Sequence, residues 1–134
     1  MRKTFLKFAS VIMVLLIGVV FSDYAMAEAE FDFEELMEKV DDISHNLQAS
    51  IANKDVNTTV TLATEFQGKL KLVEGYFAKR GNAADAVSDA KKYQDRAAEI
   101  VKFAQAGDFA SASNKAIENA KECDNACHDT YKPL

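Results

Sequence analysis

The chain has 134 residues, 49% hydrophobic and 28% charged, with 16 Lys+Arg against 21 Asp+Glu and a formal net charge of −5. That is enough for one domain around one core, and the acidic balance argues against nucleic acid and anionic membrane surfaces as partners. A single proline, Pro133, and no tryptophan in a chain rich in Ala, Lys and Glu read as all-helical.

The first element reads as a secretory leader. Arg2, Lys3 and Lys7 form a basic start, Phe8 to Phe21 an apolar run of 14 residues, and Ala25-Met26-Ala27 an A-x-A cleavage site. The run falls short of the roughly 20 residues that span a bilayer as a helix. Cleavage would leave Glu28 as the first residue and no membrane anchor, which predicts a periplasmic protein of residues 28–134. Removing Arg2, Lys3, Lys7 and Asp23 leaves 13 basic against 20 acidic residues, net −7.

Four helical segments follow. The first runs from about Phe31 to Ala52, with Phe33, Leu36, Val40, Ile43, Leu47 and Ile51 as its apolar stripe. Asn53-Lys54-Asp55 ends it, with Asp55 as N-cap of the next. The second runs from about Val56 to Lys79 on a stripe of Thr59, Ala63, Phe66, Leu70, Val73 and Phe77. Arg80-Gly81-Asn82 supplies a basic last turn, a glycine past the helix end and an asparagine N-cap. The third runs from about Ala83 to Ala106 on Ala83, Ala86, Ala90, Tyr93, Ala97, Ile100 and Ala104. Gly107-Asp108 repeats the stop-and-cap pattern. The fourth runs from about Phe109 to Tyr131 on Phe109, Ser113, Ala116, Ala120, Cys123 and Cys127, and Pro133 stops it.

Segments of similar length, each on the order of 30–36 Å as a helix, joined by a few residues, predict an all-α, antiparallel up-down-up-down four-helix bundle. The first two seams are bulky and the last two mostly alanine. Such a core either packs its two alanine-rich helices closely or has room for a group that is not a side chain.

The last segment carries the chemistry. Cys123-Asp124-Asn125-Ala126-Cys127-His128 spells C-x-x-C-H and contains both cysteines of the chain. This is the attachment signal of a c-type haem: each thiol adds its S–H across a porphyrin vinyl group, and the histidine ligates the iron. Cys123 and Cys127, four residues apart, share a helix face. A redox C-x-x-C normally accompanies a βαβ pattern, and no strand pattern is visible. Zinc would need two further ligands, and the other histidine is His45. A disulfide between these positions would strain an intact helix. Export and the haem motif support one another, since haem is attached to c-type cytochromes outside the cytoplasmic membrane.

The stretch from Cys123 to Lys132, C-x-x-C-H-x-x-Tyr followed by a basic residue, resembles the class II c-type cytochromes, the cytochrome c-prime family. Residues 37–56 are also similar to the b-type four-helix-bundle cytochromes of the periplasm. The resemblance covers residues 28–134 in architecture and is specific at the C-terminal motif. It implies one covalent haem c per chain, with thioethers at Cys123 and Cys127, His128 as proximal iron ligand and Lys132 beside the haem. Arginine is frequent at that last position in the family, so the lysine is a departure.

The resemblance also implies that a first-helix residue occupies or blocks the sixth iron position. Aligned on Val56 with the b-type relatives, that residue is Met37; aligned on the apolar stripe with cytochrome c-prime, it is Leu36. On a helical wheel Leu36 lies about 35° and Met37 about 65° from the stripe centre, and His45 about 145°, near solvent. Methionine ligation raises the reduction potential and suits an electron carrier. Leucine leaves a five-coordinate iron suited to nitric oxide or carbon monoxide. A haem-free thiol or metal protein is the outside alternative.

No catalytic constellation stands out, so an enzyme is not expected. The acidic start, Glu28 to Asp42 with Lys39 alone opposing, is either a solvated face or a steering surface for basic redox partners. Gly68 and Gly75 lie opposite the second stripe with Leu72 between them. Either local flexibility or approach of a second subunit explains them, and the resemblance implies dimers through the first two helices.

Overall fold

A computed structural model of the chain describes residues 32–123. Among them are four helices and no strand: α1 Phe33–Ala52, α2 Val56–Arg80, α3 Ala84–Gln105 and α4 Phe109–Cys123, the last followed to the end of the described range. Each helix packs on its neighbour in the chain, and α4 closes on α1. The architecture is an antiparallel up-down-up-down four-helix bundle.

Local chemistry explains the boundaries. Asp32 caps α1, its side chain accepting from the Glu35 amide at 3.0 Å. Between α1 and α2 the Asn53 amide still donates to Ala49 O at 3.0 Å, and Lys54 turns the chain through the left-handed region at φ 55°. Asp55 then caps α2, accepting from the Thr58 amide at 3.1 Å and from its hydroxyl at 2.7 Å. Asp108 repeats the device on α4, with Ser111 amide and hydroxyl at 3.0 and 2.7 Å. These contacts satisfy amides that the first helical turn leaves unpaired. They also hold the Asp55 and Asp108 carboxyls below the usual range.

Gly81, at φ 83°, ends α2 with its amide on Phe77 O. The start of α3 differs from expectation. Its cap position is Ala83, which makes no side-chain capping bond, and Asn82 is exposed just before it. Ala83 is only 2% exposed and belongs to the core. Seating that methyl group fixes where the helix begins, and Asn82 is left one position too early to cap.

The expected seams of α2 and α3 are buried at every position, and that of α1 at all but Phe33. Phe33 is half-buried, stacked on Tyr76 at 4.0 Å and edge-on to Phe77 at 5.5 Å. Ser50 is also buried on α1. The seam of α4 is rolled from expectation: Ala112, Ala116 and Asn119 are buried, while Phe109, Ser113, Ala120 and Cys123 are half-buried. The buried line steps 112, 116 and 119, and Cys123, four residues on, packs half-buried against the core. Asn119 escapes a hydrophobic pattern because its burial rests on polar partners.

The core forms two clusters. Leu47, Ile51, Ala63, Ile100, Ala112 and Ala116 draw on all four helices. The larger cluster, built around Leu36, Val40, Phe66, Leu70, Phe77 and Tyr93, draws its buried members from α1, α2 and the start and body of α3; among the described residues α4 meets it through Cys123. Fully burying each large apolar side chain here contributes about 1.5–3 kcal/mol.

Candidate functional site

Helix α1 has two inward-looking lines. One is the core stripe with Leu36, Val40 and Ile43. The other runs along the flank facing α4, where Met37, Ser44 and Gln48 are half-buried. With Asp41 and His45 they form one wall of a cleft of about 80 Å³; Val40 and Phe66 floor it, and Asn119, Ala120 and Cys123 form the opposite wall. The i, i+4, i+7, i+11 spacing of 37, 41, 44 and 48 puts those residues on a single helix face. Apart from Met37 that face is polar.

Met37 and Cys123 therefore share one cleft, and both also pack against the larger core cluster. Leu36 is 5% exposed, a member of that cluster and not of the cleft lining. His45 stands at the mouth with 76% of its side chain exposed, Nε2 3.7 Å from Asp41. This agrees with its predicted place toward solvent. Cys127, His128 and Lys132, and the leader with Glu28, lie outside the described residues. Glu34, Glu35, Glu38, Asp41 and Asp42 are all exposed on α1. Gly68 and Gly75 have open space where a Cβ would stand, and Leu72 is 48% exposed.

A polar network on the α3 side of α4 was not legible in the sequence pattern. The Arg96 side chain, 14% exposed, donates from Nη2 to Glu122 Oε1 at 2.8 Å and lies 3.6 Å from Glu118 Oε2 through Nε. Its Nη1 reaches Asn119 Oδ1 at 3.4 Å, and the Asn119 amide donates to Tyr93 O at 3.2 Å. Lys92 pairs with the other Glu122 oxygen. Donation by Arg96, then by Lys92, lowers the Glu122 carboxyl from 4.5 to about 2.

Two donors in the cleft, the Cys123 thiol and the Met37 thioether, are of a kind that could hold a haem, among the polar side chains Asp41, Ser44, His45, Gln48 and Asn119. A thiol lies on one wall, a thioether on the other, and the floor is apolar. The volume is small for it, since ligand pockets commonly measure about 300–1,000 Å³. A haem held there would need α1 and α4 to stand further apart. Comparison with protein-family models, curated proteins and solved structures returned no match. None of the described helices is long and apolar enough to cross a membrane.

Proposed function

We propose that the protein is an exported, periplasmic monohaem c-type cytochrome of the class II type that carries electrons between partner proteins and is not an enzyme. One observation carries this reading: Cys123, the first residue of C-x-x-C-H, is half-buried against the larger core cluster and lines the same cleft as Met37 of α1. A bound haem c supplies a one-electron couple at its iron. Cys123 and Cys127 would anchor it, His128 would ligate the iron from the same helix, and Lys132 would lie beside it. Met37 would approach from α1 as the distal ligand and raise the potential. Leu36, the alternative in that role, is engaged in the core. The leader and the motif support export, and the exposed acidic face of α1 suits a basic partner.

The test is production in a host with cytochrome c maturation machinery, followed by absorption and mass measurement on denatured protein. One haem per chain that survives denaturation is expected. A chain that carries none refutes the reading. Five-coordinate, high-spin spectra with rapid carbon monoxide binding would replace electron carriage with gas binding.

A further inference from the structure

We infer that Arg96 is a positioning residue: it sets the rotation of α4 and so presents the Cys123 thiol to the α1–α4 cleft. The inference rests on the haem reading only for what that thiol receives. Through its first two turns α4 buries Ala112 and Ala116, with Phe109 packed half-buried against the same cluster at the helix start. A methyl group has no direction, so beyond Phe109 the two alanines do little to set the roll of the helix about its axis. The next inward residue is Asn119, whose amide must be oriented because it is 1% exposed. Tyr93 O takes its N–H and Arg96 Nη1 reaches its oxygen.

The same guanidinium engages Glu118 and Glu122. One planar fork thus reads three positions of α4, at i, i+1 and i+4, which surround the α3-facing side of that helix. Cys123 lies four residues beyond Asn119 and next to Glu122, so fixing those two leaves the thiol turned toward α1. Rolling α4 by a third of a turn would break all three contacts at once. Lysine, a point charge on a flexible stem, cannot hold three directions together.

The test compares the full chain with Arg96→Leu, Arg96→Lys and Glu122→Gln, each made in the maturation host and read as haem bound per chain. Arg96→Leu should lose attachment several-fold while helical circular dichroism stays at the parental level. Arg96→Lys and Glu122→Gln should each lose part of it. Should Arg96→Leu fail to accumulate, the two milder variants decide. Parental attachment in every variant that folds overturns the inference. A parental chain that takes no haem refutes the functional reading instead. The rate of Cys123 alkylation in a Cys127→Ser background then decides: several-fold faster reaction in Arg96→Leu is expected, and equal rates overturn the inference.

Discussion

The hydroxyls of Ser50 and Thr59 meet 3.0 Å apart inside the bundle, joining the last turn of α1 to the first turn of α2. Ser50 also donates to Leu47 O at 2.8 Å, which leaves Thr59 as the donor between them. Ser50→Ala strands a buried hydroxyl and should cost about 1–3 kcal/mol, with Thr59→Val nearer 1 kcal/mol. The double variant should cost less than the two together, because no unpaired group remains. Urea denaturation of the four proteins measures the coupling; strict additivity would mean that the pair contributes nothing.

Leu36 and Met37 are adjacent yet face different surroundings, and their substitution should separate. In haem-loaded protein Met37→Ala is expected to turn a low-spin spectrum high-spin and remove the weak long-wavelength band of thioether ligation. Leu36→Ala should instead lower stability by about 2–5 kcal/mol and leave the iron low-spin. An unchanged spectrum in Met37→Ala rules that residue out as ligand.

Glu122 gives the fold a defined acid dependence. Its carboxyl lies at about 2 in the folded chain against an ordinary 4.5, so between those values the unfolded chain binds more protons. Stability from this group is fully present above about pH 4.5 and is lost as pH falls toward 2. Other carboxylates titrate there too, so the difference between the parental chain and Glu122→Gln isolates it. That difference should shrink steadily from pH 5 to pH 2; a constant difference would mean that the pairing with Arg96 is not maintained in solution.

The helix starts make a contrasting set. Asp55→Ala and Asp108→Ala each remove two hydrogen bonds at a first turn and should lower the thermal midpoint. Asn82→Ala should leave it unmoved, since the cap position of α3 is Ala83. A drop for Asn82→Ala equal to that for Asp55→Ala would contradict the boundary described.

Gly68 and Gly75 lie within α2 with nothing near an added Cβ. Alanine at either should stabilise the chain by about 0.5–1 kcal/mol. Sedimentation should show the oligomeric state unchanged. Dissociation of a dimer by Gly75→Ala would instead assign the exposed Leu72 face to a second copy.

The seams of three helices were legible because their burial is apolar, and alternating three- and four-residue steps of Leu, Val, Phe and Ala carry that information directly. Helix α4 was less legible. Asn119 is buried through Arg96 and the Tyr93 carbonyl, partners on another helix that no local pattern encodes. Its presence rolls the inward line so that Ser113 and Ala120 move to the flank. The same limit applies to the site. The wheel left Leu36 and Met37 both inward because α1 has two inward lines, and only the position of α4 tells core from cleft. Asn82 carried every local sign of a cap and lost the position to the burial of one neighbouring methyl group.

The unequal core clusters bear on how freely this chain can change. At Ala112 and Ala116 a larger side chain must be accommodated by all four helices at once. At Ala120 it meets the cleft, and at Lys121 it meets water. Tolerance along α4 therefore depends on the face: low at Ala112, Ala116 and Asn119, higher at Ala120 and Lys121. The flank positions can be rewritten for new chemistry while the buried line and its contacts with Arg96 keep α4 in register.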